Sequence, residues 1–230
     1  MPKNKRTGSI ADRSIKSEID AIKRSRLLDE AVDQFFRNGY EATSLESIAD
    51  ALGVTKQFIY SRFRSKSEIL VSVCRSGAAP ADDTVRFSET IEGEPVARLA
   101  SIIQYFVQHQ IENRREVALY FSEARSLPPE EAKEIASSKS RFHRMLRGVL
   151  DEGKRAGQFD FEDSAIAASA IGGMASWTFF WFQPEGRWDP LSVARQIAEL
   201  SLKTVGVADP GQYLKDEPIL RETQPAEQQG

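Results

Sequence analysis

The chain has 230 residues, 40% of them hydrophobic, and a formal net charge of −3 at pH 7. It carries one cysteine, which excludes an internal disulfide framework and favours a reducing compartment, so we expect a cytoplasmic protein. No apolar run reaches the roughly eighteen residues of a membrane span, and the N-terminus lacks the hydrophobic core of a signal peptide.

Charge is divided unevenly along the chain. Residues 1–75 hold 14 Lys or Arg against 10 Asp or Glu, whereas the remainder holds 17 against 24. A basic N-terminal part followed by an acidic one is the distribution expected of a nucleic-acid-binding domain joined to a second domain. Residues 1–16 are predicted to be a basic flexible arm, which either lies along DNA or serves as a solubilising tail.

The segment 17–75 predicts three helices and the start of a fourth. After a long amphipathic first helix, Thr43 and Glu46 form a capping-box pattern that opens the second helix. Gly53 suits the left-handed residue that ends this helix, and Thr55 is a suitable cap for the third. Two short helices joined in this way are typical of a helix-turn-helix, although an ordinary helical hairpin is the alternative.

The third helix is predicted to present a polar face. Ile59 and Phe63, four residues apart, point inward, which leaves hydroxyls, cations and the Gln57 amide outside. Hydroxyls and cations suit DNA phosphates, and a Gln amide can pair with the edge of adenine. Ser65 begins a fourth helix, whose first amides and Lys66 could hold a backbone phosphate.

Four motifs carry a family resemblance. Ala-x-x-x-Phe-x-x-x-Gly-Tyr occupies 31–40, followed by Thr-Ser-Leu-x-x-Ile-Ala, Gly-Val-Thr with Ile-Tyr, and Phe-x-Ser-Lys-x-x-Ile-Leu. Together they resemble the N-terminal domain of TetR-family regulators. This resemblance implies a homodimeric repressor that binds a palindromic operator and leaves it when a small molecule fills the C-terminal domain.

The resemblance also implies DNA contacts: Thr43, Thr55, Lys56, Tyr60 and Lys66 would contact phosphates, whereas Gln57, and in a second role Lys56, would face bases. With Arg62, which follows on the outward face, the predicted contacts are Thr43, Thr55, Lys56, Gln57, Tyr60, Arg62 and Lys66. Gln57 and Phe58 depart from the common pattern of the family, so the operator sequence cannot be transferred from relatives.

Residues 76–83, rich in Ala with Gly and Pro, predict a break between the two domains. Only helical patterns follow, so the fold class is all-α: a three-helix domain with a helix-turn-helix, then a larger helical bundle over 76–207 for ligand binding and dimerisation. Its predicted helices cover about 95–112, 116–126, 130–156, 161–182 and 190–205. Residues 208–230, rich in Pro, Gln, Asp and Glu, predict a disordered tail.

The segment 165–182 is apolar all round, which requires burial on several sides. In the TetR family the last two helices pair with those of a second subunit, which implies that Ile166, Ala170 and the helix at 190–205 lie in a dimer interface. The other side would line a cavity, although ordinary core packing is the alternative for any single aromatic residue. The predicted lining comprises Tyr105, Phe106, His109, Tyr120, Arg125, Phe142, Met145, Met174, Trp177, Phe180 and Trp181.

The effector is predicted from a weaker resemblance. The sequences at 120–125 and 177–186 are similar to regulators of fatty-acid, sterol or aromatic-acid breakdown that respond to acyl-CoA thioesters. An acyl-CoA needs an apolar channel and cations near its mouth, which Arg125 and the long helix at 130–156 could supply. A solvated charged face explains those cations equally well, and a hydrophobic drug, steroid or lipid would also fit the cavity.

Enzymatic function is not predicted. The two histidines lie 34 positions apart, and the sequence has neither a nucleophile elbow nor a glycine-rich phosphate loop. We expect neither a metal nor a cofactor. A helical-bundle enzyme and a ligand-independent DNA-binding protein are the less favoured alternatives.

Overall fold

The computed structural model describes residues 7–219, with side chains described from Glu18 onward. Over this range the chain is all-α, as predicted, and contains no strand. The helices are α1 (Thr7–Asn38), α2 (Leu45–Leu52), α3 (Lys56–Tyr60), α4 (Lys66–Thr90), α5 (Pro95–Glu112), α6 (Arg114–Glu123), α7 (Pro129–Arg155), α8 (Ser164–Ser176), α9 (Thr178–Trp181) and α10 (Pro190–Thr204), with short 3₁₀ turns at Ala124–Ser126 and Gly211–Tyr213. None of these helices is long and apolar enough to cross a membrane.

The chain forms two compact units, which divide between Val73 and Cys74 inside α4. The first unit contains α1 to α3 and the start of α4. Its core holds Phe35 of α1, Ile48 of α2 and Ile59 of α3, each at most 1% exposed. These side chains recur at helical spacing on one face of each helix, so their burial holds the helices together.

The second unit is built around α5, which is buried along most of its length. Helices α7, α8 and α10 pack around it, and the core includes Leu99, Phe106, Leu146, Ile171 and Leu202. An ion pair of 2.6 Å between Arg98 of α5 and Glu152 of α7 lies beside this core. The apolar pattern predicted one helix over 161–182, but the structure divides it into α8 and α9.

Helix α1 begins at Thr7, ten residues before the predicted start at Ser17. Residues 7–16 of the predicted flexible arm therefore have helical backbone. Residues 1–6 of that arm lie outside the described residues.

Helix α4 runs without interruption through 76–83, where the sequence predicted a domain break. Gly77 is required there by close packing, because a Cβ at this position would overlap the backbone carbonyl of Glu116 on α6. Pro80 lies inside the helix, and its carbonyl oxygen accepts a hydrogen bond of 2.7 Å from Thr84 Oγ1. Burial of this part of α4 outweighs the low helix propensity of Gly and Pro.

The segment 208–219 is ordered, contrary to the predicted disordered tail. Its backbone at Lys215 exchanges two hydrogen bonds with the side-chain amide of Gln104, at 2.9 and 3.0 Å. Ile219 is 1% exposed and packs with Phe87 and Tyr105. These anchors were not predicted because the polar composition of the segment conceals them. Residues 220–230 lie outside the described residues.

Candidate functional site

Local capping interactions build the α2–α3 corner of the first unit. Ser44, one residue after the predicted Thr43, caps α2: its hydroxyl accepts from the Ser47 amide, and the Ser47 hydroxyl accepts from the Ser44 amide. Gly53 ends α2 with φ of 63°, the left-handed conformation that glycine adopts without strain. Thr55 then caps α3 by accepting a 3.3 Å hydrogen bond from the Phe58 amide, as predicted.

The outward face of α3 consists of Lys56, Gln57 and Tyr60. All three are exposed, whereas Ile59 on the opposite face is fully buried. Lys56 forms an ion pair with Glu46 of α2. Thr55 is also exposed at the start of this face. The face therefore offers a cation, an amide, a phenol and a hydroxyl on one short helix.

Three of the predicted DNA contacts point into the first unit instead. The Arg62 guanidinium bonds Asp20 of α1 at 2.6 Å and lies 3.9 Å from the centre of the Phe58 ring. The Thr43 side chain is 3% exposed and donates to the Gly39 carbonyl at 2.9 Å. Because these groups already have protein partners, Arg62 and Thr43 contribute to the fold of this unit.

Lys66 is the third. Its ammonium donates to the carbonyl oxygens of Tyr40, Glu41 and Thr43 at 2.9 to 3.2 Å and lies over the Tyr40 ring. The cation thus closes the loop between α1 and α2. The start of α4 is occupied too, since the Ser65 hydroxyl accepts from the Glu68 amide.

The second unit contains a cavity of about 520 Å³ between its helices. Four of the eleven predicted lining residues border it: Phe106, Tyr120, Phe142 and Trp177. The remaining lining residues are Gly77, Ala78, Ala81, Gln110, Phe121, Ile135, Ser138, Lys139, Ser140, His143, Ser169, Gly172, Gly173 and Ser176. The α4 residues among them were missed because the sequence of that stretch indicated a loop.

Gly172 of α8 lies beside α7 at the cavity. A Cβ there would lie 3.4 Å from Cε1 of His143 and 3.6 Å from Cε1 of Phe142, which are ordinary van der Waals distances. Phe142 in turn stacks on Phe106 of α5, with ring centres 4.2 Å apart. This side of the cavity is therefore formed by α5, α7 and α8.

Burial favours the neutral forms of two titratable side chains of the cavity, His143 and Tyr120. Burial, with a further contribution from Lys139, lowers the pKa of His143 below its ordinary value. Burial raises the pKa of the Tyr120 phenol. Gln110 is 5% exposed, and its Oε1 has no hydrogen-bond partner among the described residues. Within the described residues, Lys139 is the one cation of the lining, and the lining includes no carboxylate.

Seven predicted lining residues lie elsewhere. Tyr105 stacks on Phe87 at 4.3 Å, and His109, whose pKa is lowered by burial, lies 3.9 Å from Asp83. Both lie on a different face of α5 from Phe106. The apolar pattern of α5 does not reveal which of its faces borders the cavity. Met145 and Met174 pack against the core, whereas Arg125, Phe180 and Trp181 are exposed.

A set of hydrogen bonds joins the wall of the cavity to α4. The Asp82 carboxylate of α4 accepts from Ser138 Oγ at 2.6 Å and from two nitrogens of Arg141 at 2.7 and 2.9 Å. Ser138 and Arg141 belong to α7, and Ser138 also lines the cavity. We call these three residues the α4–α7 clamp. One turn before the cavity, Arg75 bonds Glu131 of α7 at 2.6 Å.

The single cysteine, Cys74, lies on the same helix and is fully buried. Burial, and to a lesser extent Glu123, raises the pKa of its thiol to about 12. The thiol is therefore protonated at neutral pH and packs as a small apolar group.

Large apolar side chains are exposed on the last helices of the second unit. Ile166 of α8 is 72% exposed, Phe180 of α9 is 69% exposed, and Leu200 of α10 is 47% exposed. Trp181 and Trp188 border a hollow of about 240 Å³ together with α10. Exposed apolar side chains grouped in this way indicate a surface that another molecule covers.

Comparisons with known proteins agree with this two-unit architecture. The family model for bacterial regulatory proteins of the tetR family matches residues 27–73, and the model for the tetracyclin repressor-like C-terminal domain matches residues 92–205. The HTH-type transcriptional repressor KstR2 of Rhodococcus jostii is 27% identical over 193 residues, which cover 82% of this chain and 92% of that protein.

Solved structures show the same fold. The TetR-family regulator PfmR of Thermus thermophilus is 30% identical, with a TM-score of 0.72, and the match covers 77% of this chain and 97% of that one. AibR, solved in complex with isovaleryl coenzyme A and operator DNA, is 24% identical, with a TM-score of 0.63, over 76% of this chain and 95% of that one.

Proposed function

The chain belongs to the TetR family of transcriptional regulators, whose members are not enzymes, and on that premise we propose that it is a repressor released from DNA by a small hydrophobic effector. It binds a palindromic operator as a homodimer in the cytoplasm. The effector occupies the cavity of about 520 Å³ in the second unit.

One observation carries this proposal: α4 belongs to both functional parts. The helix begins at Lys66, directly after the α2–α3 corner, and its residues Gly77, Ala78 and Ala81 line the cavity. An effector that fills the cavity contacts the helix that follows the DNA-binding corner. Differential contact of this kind is what couples two sites.

The outward face of α3 supports a role in the major groove. Gln57 would read a base edge, whereas Thr55, Lys56 and Tyr60 would contact phosphates. Lys56 would leave its ion pair with Glu46 and pair with a phosphate instead. The loss of free energy is small, because an exposed ion pair contributes little to stability. Thr43, Arg62 and Lys66 act indirectly, because they hold α3 and the α1–α2 loop in place.

The α4–α7 clamp supports a route for release. A ligand that contacts Ser138 or pushes Ala81 acts on α4 at Asp82, where the clamp joins the helix to α7. A small displacement of α4 would change the spacing of the two α3 helices in the dimer. Dimers of helix-turn-helix proteins require that spacing to match about one turn of DNA.

An acyl-CoA thioester is the first effector class that we propose. The cavity has apolar walls for an acyl chain, and Lys139 is an exposed cation among its lining residues. AibR, which has the same fold, binds isovaleryl coenzyme A, although its identity to this chain is low. An uncharged drug, steroid or lipid is the second class, and the neutral state of His143 favours it.

The exposed apolar surface on α8, α9 and α10 supports homodimerisation. A second copy of the chain would cover Ile166, Phe180 and Leu200, which are costly to leave in water. Two copies also supply the two α3 helices that a palindromic operator requires.

A combined binding experiment tests the proposal. The purified chain is titrated onto DNA from upstream of its own gene in a gel-shift assay, and decanoyl-CoA, decanoic acid or CoA is then added. We expect one fragment to bind, and decanoyl-CoA alone to release it and to raise the melting temperature. Binding to no fragment would refute the proposed repressor function. Release by steroids or drugs but not by thioesters would show that the effector belongs to the second class.

A further inference from the structure

Three glutamine side chains of α5 are buried in the second unit. Gln104, Gln108 and Gln110 are 0, 3 and 5% exposed. A buried amide that lacks hydrogen bonds is unfavourable, so each should have partners. The contacts of the three amides therefore indicate which of them serve the fold.

The first two contact the ordered C-terminal segment. Gln104 donates to the Lys215 carbonyl and accepts from the Lys215 amide, which satisfies both ends of its side chain. Gln108 accepts from the Ile219 amide at 3.2 Å. Its Nε2 has no described partner, but Gln108 does not line the cavity. These two glutamines hold the C-terminal segment against α5.

Gln110 differs because its side chain lines the cavity. Its Oε1 is buried and accepts no hydrogen bond from any described residue. Phe106, Phe142 and Ile135, each at most 3% exposed, belong to the same lining. The interior of the cavity thus combines apolar walls with one hydrogen-bond acceptor, Gln110 Oε1, that has no donor among the described residues.

We propose that Gln110 determines effector specificity, by accepting a hydrogen bond from a hydroxyl group on an otherwise apolar ligand. This inference rests on the proposed effector role of the cavity. A ketone or carboxylate has no hydrogen to donate to Oε1. A protonated amine could donate, but the described lining offers no carboxylate to pair its charge. An amide N–H is an uncharged donor, but it brings a carbonyl that would itself require a donor, whereas a hydroxyl donates to Oε1 without one.

The ligand-free protein provides the first test. Gln110→Met removes the unpaired acceptor at similar size, so we expect the melting temperature to stay level or to rise. Gln104→Met is the matched control, and it should lower the melting temperature because it leaves the Lys215 backbone groups unpaired. An equal fall for both variants would show that the Gln110 amide already serves the fold, and would overturn the inference.

Matched ligands provide the second test. The probes are decanoyl-CoA, its derivatives hydroxylated at successive chain carbons, and the corresponding ketones. In the parent protein we expect one hydroxylated thioester to bind about tenfold more tightly than decanoyl-CoA and than its own ketone. In Gln110→Met this preference should disappear or reverse. A preference that survives in the variant, or no preference in the parent, would overturn the inference.

The effector class can fail separately. If none of the thioesters binds, the acyl-CoA proposal is wrong, and a hydroxysteroid with its matched ketosteroid replaces the series. The same loss of preference in Gln110→Met is then expected for the steroid pair. A steroid that binds with equal affinity in both hydroxyl and ketone forms would overturn the role of Gln110 as well.

Discussion

Side chains of the same chemical type differ in role according to what they already contact. Lys56 and Lys66 are both lysines near α3, yet Lys56 has one exposed carboxylate as partner, whereas Lys66 bonds three backbone carbonyls. The sequence predicted both as phosphate contacts, because nothing local reveals the loop carbonyls that surround Lys66. We therefore propose direct DNA contact for Lys56, whereas Lys66 supports the loop between α1 and α2.

Lys56→Ala should reduce the salt dependence of DNA binding. Each cation that neutralises a phosphate contributes about one unit to the slope of log affinity against log salt, so the slope should fall by about 1 per protomer. Fluorescence anisotropy across a salt series measures it. Lys203→Ala removes an exposed lysine of the second unit and should leave the slope unchanged; an unchanged slope in Lys56→Ala would remove Lys56 from the interface.

Lys66→Ala should instead destabilise the first unit. The lost charged hydrogen bonds leave three carbonyls without their donor, which costs about 1 to 3 kcal/mol. Chemical denaturation followed by circular dichroism measures the loss. Tyr60→Ala, at an exposed position of α3, should change stability by less than about 0.5 kcal/mol while weakening DNA binding. Equal stability of the two variants would contradict the structural role of Lys66.

Helix α4 shows which part of an element can be predicted locally and which cannot. Its start was predicted correctly from Ser65 and Glu68, since a cap involves neighbours in sequence. Its continuation was missed, because Gly77 is explained by contact with Glu116, a residue nearly forty positions away. The same limit applies to the segment 208–219, whose order depends on buried amides of α5.

Gly77→Ala tests the close packing of α4. The added methyl would overlap the backbone of α6, which cannot yield as a side chain can, so we expect a loss of about 1 to 3 kcal/mol. Gly148→Ala is the matched control on α7, where no atom lies within 4 Å of the new Cβ. There the better helix propensity of alanine should give a gain of up to about 1 kcal/mol. Thermal unfolding of both variants decides; two gains would show that α4 and α6 are free to separate.

Asp82→Asn tests the α4–α7 clamp. The amide removes the charge that Arg141 contacts, which weakens the attachment of α4 to α7 and makes its displacement easier. We expect about 3- to 10-fold less effector to give half release of DNA, which corresponds to roughly 1 kcal/mol of coupling. Asp83→Asn, at the neighbouring carboxylate outside the clamp, is the control. The same half-release concentration in Asp82→Asn and the parent would show that the clamp takes no part in release.

At the scale of the molecule, the sequence predicted the fold class and the family, but few of the residues that line the cavity. Helical periodicity and caps are local properties, and so are the motifs at 31–70 that indicated the DNA-binding domain. The cavity brings together residues from α4 to α8, and which face of each helix contributes is decided by packing. Phe106 therefore borders the cavity, whereas Tyr105, its neighbour in sequence, stacks on Phe87.

Leu200→Asp should separate the proposed dimer. A charge on the apolar surface that a second copy would cover is unfavourable, so the variant should be monomeric in light scattering. Operator affinity should fall by at least about 100-fold, because one α3 helix reaches only half of the site. Phe36→Asp, at an exposed apolar residue of α1, should leave the mass unchanged. A dimeric Leu200→Asp variant would place the interface elsewhere.

Because Cys74 is buried, the rate at which its thiol is labelled can report local opening of α4. Alkylating reagents react with the thiolate form of cysteine. While Cys74 is fully buried and its pKa is about 12, almost no thiolate is present at neutral pH. The rate of labelling at neutral pH therefore measures how often the packing around Cys74 on α4 opens, without any engineered probe or competing cysteine. A compound that slows or speeds this reaction reveals its effect on α4 even when no operator is known.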